Sequence, residues 1–402
     1  MAPVTLPILV LCLGHVFSNA VRTIPAVAAD VLMRDLGLTA ETLAQLTGMF
    51  PFAFAAVMIP VGVALDRYGV KRVSLSLLAV AGGGAAMAAM AGGPAAMLGA
   101  QAVLGAGCSG MLMCPLAFAA RRLTAARFAL WAGIIQAVGN TGMLLSASPL
   151  AVLIEASGWR AGYWACAGLA AVAIAAVAAL VPGDTPAARP ARGWLADARE
   201  VLGMVRLPAL RGVVVLVFAS FAAVLGVRGL WGGPWLMEVK GLPRVEAGNL
   251  LLVVTVALTV GPAIGGLALR RLGRPVALLA GGHLAAAALI LLVVAGGPGG
   301  VLSRALGLAM LPPGYDLALL CAFAVAISFQ VIAFSVVRGA VPPDQAGRAL
   351  SAANLSFFLG AAVLQALSGL VAGWGGVQAA LLTFAAGLVL CTAGFLALSR
   401  AR

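Results

Sequence analysis

Four polar residues interrupt the first apolar run of the chain: His15, Ser18, Asn19 and Arg22. At about 100° per residue they share one helical face, while Leu13, Val16 and Ala20 point elsewhere. An arginine at mid-membrane costs about 2.5–3.5 kcal/mol on insertion scales, so it faces a protein interior and marks a pathway by default. Further along, Arg228, Trp231 and Trp235 recur at i, i+3 and i+7, again one face. A guanidinium beside indoles suits a flat or carboxylated solute, through stacking and charge-assisted hydrogen bonds. The blander reading has Arg228 snorkelling outward and the tryptophans anchoring the helix at the membrane surface. Gln136 and Asn140 form an i,i+4 pair flanked by Gly133 and Gly139, and Ser328, Gln330, Ser335, Asn354 and Gln365 punctuate later runs. Bonding between neighbouring helices is the ordinary role of such groups. Phe357 is a further ring that could stack on a substrate.

The 12 Asp and Glu residues fall in predicted loops or at helix ends, among them Asp66, Asp184, Glu200, Lys240's neighbour Glu238, and Asp316. The polar faces therefore carry fixed positive charge with no carboxylate to answer it. Such a site repels a cation and is completed by an anion. Proton coupling, in the absence of a buried acid, falls to His15, because imidazole changes charge near neutral pH.

The elements that hold these residues are membrane spans. The chain has 402 residues, 63% hydrophobic and 9% charged, with mean hydropathy +1.11. That balance excludes a soluble globular domain. A net charge of +13 could suggest nucleic acid. Most of the basic residues, however, fall in loops that share the side of Lys71, for example Arg121, Arg122, Arg189, Arg192, Arg271 and Arg348. This is the positive-inside pattern; it places both termini in the cytoplasm and argues against a nucleic-acid partner. Cys12, Cys108, Cys114, Cys166, Cys321 and Cys391 all lie in apolar runs and imply no disulfide framework. The first run reads as a retained span, not a signal peptide. There is no phosphate-binding loop, and two histidines cannot build a metal-hydrolase site, so no enzyme, cofactor or metal centre is expected. The stretch CSGMLMC, with soft sulfur ligands, raises copper(I) as a rival cargo. Its sulfurs spread around the helix, and soft packing is the preferred reading.

Hydropathy predicts about twelve spans, near 5–29, 42–64, 73–92, 96–120, 127–153, 160–181, 210–236, 247–269, 275–297, 315–340, 347–372 and 376–398. A Pro-, Ala- and Arg-rich linker separates the two halves, and its end can form an amphipathic helix on the membrane surface. The halves repeat: VRTIP, LGLTAE and GVALDRYG in the first match VRGLW, KGLPRVE and GLALRRLG in the second. Arg22 and Arg228 thus occupy equivalent places, and duplication with a site where the repeats meet is a transporter plan.

The stretch GVALDRYGVKR, Gly62 to Arg72, organises the first half. Gly62 permits close helix approach, Asp66 can pair with basic groups, Gly69 frees a turn, and Arg67, Lys71 and Arg72 add positive charge. The pattern G-x-x-x-D-R-x-G-x-K-R resembles the signature loop between helices 2 and 3 of the major facilitator superfamily. Segments such as LWGGPWLMEVKGL and PPDQAGRALSAANLSFFLGA are similar to the family's nitrate/nitrite and organic-anion branch. The resemblance implies an all-α fold of 12 transmembrane helices in two pseudo-symmetric six-helix bundles, 1–182 and 210–402, joined by a cytoplasmic linker at 183–209. It also implies rocking alternating access, the Gly62–Arg72 loop as a gating element, and a peripheral place for His283. GIIQAVGNTGMLL departs from the family's antiporter signature, which favours uptake over drug efflux.

The function expected is secondary active transport of a small organic or inorganic anion across the inner membrane, with proton symport as one mode. Arg22 and Arg228 would clamp the anion, with His15, Ser18, Asn19, Gln136 and Asn140 as polar partners. The alternative is a vitamin or heterocycle importer, for a flavin such as riboflavin, in which Trp231, Trp235 and Phe357 stack on a ring. A copper importer, drug exporter or transporter-like solute sensor ranks below these. Membrane lipid, the substrate and a proton are the expected partners of a monomer.

Overall fold

The computed structural model of the chain describes residues 2–38, 40–145, 148–183, 194–342 and 345–400. Asp184, Arg189, Arg192 and Asp344 lie outside these residues. Among the described residues there are helices and turns and no strands. Eleven helical segments are long and apolar enough to cross a membrane. Only helices and closed barrels can do so, because each satisfies its own backbone polar groups without water. The last segment is two helices merged across a kink, where Gly376 alone leaves helical geometry with φ 64° and ψ −165°. It therefore supplies two of the passes expected from hydropathy. Large apolar side chains such as Val172, Leu291 and Leu390 are exposed, as a lipid-facing surface requires.

The helices that position the polar residues are α1 (Ala2–Val21), α2 (Ala40–Tyr68), α3 (Val70–Ala89), α4 (Pro94–Cys108), α5 (Ala125–Leu145), α6 (Trp159–Leu180), α7 (Pro208–Ala223), α8 (Arg244–Leu272), α9 (Pro275–Ala295), α10 (Pro313–Ile327) and α11 (Ala346–Arg400). Two of them depart from the expected spans. α1 stops at Val21; residues 22–23 form a turn, and a short helix, Ile24–Val27, follows with Pro25 in its first turn. Proline has no N–H, and its ring excludes the carbonyl four residues back, so α1 cannot continue through it. Arg22 consequently sits just past the C-terminal turn of α1, where unpaired carbonyls favour a cation, and not deep in an unbroken span.

The second departure follows α7. The chain runs on as a π-helix, Val224–Trp231, then a turn of α-helix, Gly232–Pro234, then a second π-helix, Trp235–Val239. An i→i+5 helix rotates less per residue than an α-helix. A face counted at α-helical spacing from Arg228 therefore no longer includes Trp235.

Packing divides the chain into two compact units: residues 1–128, 135–204 and 341–352 form one, and residues 129–134, 205–340 and 353–402 the other. In the first, α5 lies directly on α1, and a Cβ at Gly142 would overlap the Val16 carbonyl. The second has a buried apolar core that includes Trp235, Phe323 and Phe384. There the Phe384 ring fills the space a side chain at Gly226 would need, which fixes the backbone just ahead of Arg228.

Candidate functional site

In the first unit, His15 and Asn19 face α5 and are buried. Gln136 Nε2 lies 3.3 Å from His15 Nε2 and donates to Asn140 Oδ1 at 3.0 Å. Asn19 Nδ2 donates to the Gly139 carbonyl at 2.8 Å and lies 3.5 Å from His15 Nε2. Amide N–H groups can only donate, so Nε2 of the neutral imidazole accepts and the ring proton sits on Nδ1. The imidazole rests on Gly139, where any Cβ would overlap the ring. Asn19 Oδ1 is buried and has no hydrogen-bond partner among the described residues. Arg22 reaches the Met143 sulfur with Nη2 at 3.8 Å. Ser18 turns away to α4 and bonds the Cys108 thiol. The structure thus gathers His15, Asn19, Gln136 and Asn140 into one polar cluster against α5, with Arg22 on the same helix pair and Ser18 directed elsewhere.

In the second unit, Arg228 is half-buried and donates from Nε to Thr255 Oγ1 of α8 at 3.0 Å. The Thr255 hydroxyl gives its own proton to the Leu251 carbonyl at 2.7 Å. Trp231 is held in the same manner: its Nε1 donates to Ser368 Oγ at 2.9 Å, and Ser368 donates to the Gln365 carbonyl at 2.8 Å. Both side chains are fixed by a hydroxyl from another helix whose hydrogen is committed to backbone.

Trp235 is neither a stacking surface nor a surface anchor. It is 1% exposed and donates to Asp316 Oδ1 at 2.8 Å. Asp316, in the first turn of α10, and Lys240 are a fully buried ion pair at 2.9 Å. Lys240 also donates to the carbonyls of Gly296 and Leu311, at 3.1 and 2.9 Å. The cluster satisfies itself and adds no net charge. Phe357 is buried, its ring centroid 5.7 Å from that of Phe334. His283 is fully buried, with Ser220 Oγ at 2.6 Å from Nε2 and the Leu279 carbonyl at 2.7 Å from Nδ1.

The Gly62–Arg72 stretch is less a loop than a one-residue break. α2 runs to Tyr68, α3 begins at Val70, and Gly69 between them has φ +81°. Asp66 is buried and pairs with Arg121 Nη2 at 2.8 Å and Arg348 Nε at 3.4 Å; its Oδ2 also accepts from the Arg348 backbone N–H at 3.2 Å. Arg348 pairs in turn with Glu200 at 2.9 Å. A Cβ at Gly62 would come within 2.7 Å of Ser351 Cβ, so only glycine fits there. Lys71 donates to the Ala178 carbonyl at 2.7 Å, and Arg72 is exposed; Arg67 is half-buried. Thr255, Ser368, Met143 and the Lys240–Asp316 pair were not singled out by sequence. Isolated hydroxyls and thioethers are common in apolar helices, and their importance here comes from the partner helix.

The family model described as Major Facilitator Superfamily matches residues 11–331. Over 154 residues the chain is 25% identical to a protein of Cupriavidus necator named "probable sulfoacetate transporter SauU", a stretch covering 38% of this chain and 36% of that protein's length. Its fold is similar to the crystal structure of the transporter FucP in the outward conformation, with TM-score 0.77, 16% identity and 98% of each chain covered. It is also similar to the human organic anion transporter MFSD10 (TETRAN), with TM-score 0.75, 18% identity and again 98% of each chain covered. The proton:xylose symporter XylE matches with TM-score 0.74 and 15% identity, over 98% of this chain and 95% of that one. A helical membrane chain and a family match over most of the sequence agree: the chain belongs to the Major Facilitator Superfamily and is a secondary transporter.

Proposed function

We propose that the chain moves a small organic or inorganic anion across the inner membrane by alternating access, with both termini in the cytoplasm. The reading rests on Arg228. This guanidinium is half-buried in a membrane-crossing segment, and its one hydrogen-bond partner among the described residues is the neutral hydroxyl of Thr255. The buried acids Asp66 and Asp316 are matched by Arg121, Arg348 and Lys240, so neither is left over to neutralise it. An anionic substrate supplies the missing charge. Trp231, held edge-on by Ser368, adds a flat apolar surface for an organic portion. Arg22 is the equivalent residue of the first half. The similarity to a protein named for sulfoacetate, an anion, supports the same reading.

His15 is the proton-coupling group of this scheme, since its Nε2 already faces two amide donors that must rearrange when the ring is protonated. The Asp66 cluster is the gating element. Counterflow in proteoliposomes tests the substrate class, with sulfoacetate, other carboxylates, nitrate, riboflavin and cationic drugs as exchange partners. Counterflow of at least one anion is expected. Exchange of riboflavin or a cationic drug, with none of any anion, overturns the proposal.

A further inference from the structure

We infer that Thr255 is a positioning residue that makes Arg228 a reader of anion shape, selecting a carboxylate or sulfonate head over a single-atom anion. The inference rests on the reading of Arg228 as the anion-holding group. A guanidinium offers two bidentate edges, one formed by Nε and a terminal nitrogen, the other by the two terminal nitrogens. Here Nε is committed to Thr255 Oγ1 at 3.0 Å, and the terminal nitrogens have no partner among the described residues. Only the terminal edge is left for a ligand. Two parallel N–H groups match two oxygens of one planar or tripodal head, whereas a halide gains nothing from their direction.

The hydroxyl is well suited to the task. Thr255 is fully buried, and its proton is fixed on the Leu251 carbonyl at 2.7 Å, so its lone pairs and not its hydrogen face Arg228. Arginine offers no acceptor, so the hydroxyl can meet Nε only by receiving its hydrogen. The backbone beneath Arg228 is held as well, by Phe384 packed on Gly226. Arg22 meets a different kind of group, the Met143 thioether, a weak acceptor, at 3.8 Å. The first-half residues that correspond to Thr255 in the repeat, Met49 to Pro51, include no hydroxyl. Shape is read at Arg228.

The test uses the full chain purified in detergent, with methanesulfonate, acetate and chloride as probes and tryptophan fluorescence as the signal, Trp231 lying next to Arg228 in sequence. Thr255→Val should raise Kd for methanesulfonate and acetate by about tenfold or more, the scale of one hydrogen bond to a charged group, and change chloride by less than about twofold. Thr255→Ser keeps the acceptor and should stay within about twofold of wild type for all three. Thr259→Val, which removes the same kind of bond to a backbone carbonyl one turn along, at 2.8 Å, should change none of them and controls for helix damage. Arg228→Ala separates the two levels. If it leaves methanesulfonate and acetate binding intact, or if wild type binds neither, the anion reading fails and this inference with it. If Arg228→Ala abolishes binding but Thr255→Val matches wild type, or weakens chloride as much as methanesulfonate, the anion reading survives and the role of Thr255 is refuted.

Discussion

Lys240 and Asp316 have no exposed side-chain surface, and removing either one strands the other's charge in the protein interior. Breaking a buried pair costs about 3–5 kcal/mol, while replacing both members with apolar residues is often neutral. Lys240→Met and Asp316→Leu should therefore each lower the melting temperature and folded yield sharply, and the double variant Lys240→Met with Asp316→Leu should lose much less than the two singles combined. Additive losses would show that the pair is not one unit. At the arginines the expectation concerns affinity. Arg22→Ala and Arg228→Ala should each weaken substrate binding by about tenfold to a hundredfold, and Arg→Lys should weaken it too, because the planar fork is lost while the charge stays. Unchanged affinity in correctly inserted protein would remove both residues from the site. His15→Gln should flatten the pH dependence of uptake and spare exchange; an unaltered pH profile would place coupling elsewhere. Sequence alone singled out His15, Asn19, Arg22 and Arg228 because a polar group in an apolar run is conspicuous. It overlooked Thr255, because a threonine there is ordinary until a guanidinium from another helix comes to rest on it. The pairing of Asp316 with Lys240 went unforeseen for the related reason that the two lie far apart along the chain.

Helices impose their own geometry on these groups. α5 can approach α1 only because Gly139 and Gly142 carry no side chain, and the His15 ring occupies the place of a Cβ at Gly139. Gly139→Ala should displace the imidazole, disrupt its contacts with Gln136 and Asn19, and abolish transport. Gly83→Ala, at a position with nothing within 4 Å, should leave transport unchanged. Equal activity of the two variants would mean that the His15 cluster tolerates displacement. The length and order of the spans were legible from hydropathy, since about twenty apolar residues must form a helix to cross a bilayer. The break at Arg22 was foreshadowed by Pro25, a residue that α-helix interiors exclude. The π-helical segments after α7 left no such mark. Their widened turn moved Trp235 from the expected binding face into the core, where its N–H meets Asp316.

For the whole molecule, the division of the chain is nearly but not wholly a division of the sequence. Residues 341–352 pack with the first unit although both of their flanks belong to the second, and Arg348 within them meets Asp66. Asp66→Asn should remove the carboxylate that Arg121 and Arg348 share and lower both thermal stability and transport, by about 1.5–3 kcal/mol in the former. A variant with wild-type melting and wild-type transport would remove Asp66 from the gating scheme. Sidedness is open to direct measurement. Arg271 and Arg304 are both exposed, and the positive-inside pattern sets them on opposite faces. Arg271→Cys should react with an impermeant thiol reagent only from the cytoplasm and Arg304→Cys only from outside, in a background lacking the native cysteines. The reverse pattern would invert the topology. The repeat of VRTIP in VRGLW and of GVALDRYG in GLALRRLG made a duplicated transporter plan readable without a structure. The segment that joins the other unit could not be read that way, because membership of a packing unit is a property of contacts and not of order along the chain.

The single glycines between helices bear on how such a chain enters a membrane in the first place. Gly69 is the whole connection between α2 and α3, and Gly376 the whole connection between the two parts of α11. Neither leaves slack for one helix to be threaded while its neighbour waits, so each pair must be delivered to the bilayer as a closed hairpin. The two turns differ in what they would drag across. Gly69 stands between Arg67 and Lys71, charges that resist translocation. Gly376 stands between Trp374 and Val377 with no charged residue nearby, and Trp374, 90% exposed, is suited to come to rest in the headgroups once the turn has passed through. Inserting a lysine beside Gly376 should therefore slow membrane integration of the last hairpin during synthesis, a defect that arises before any substrate is met.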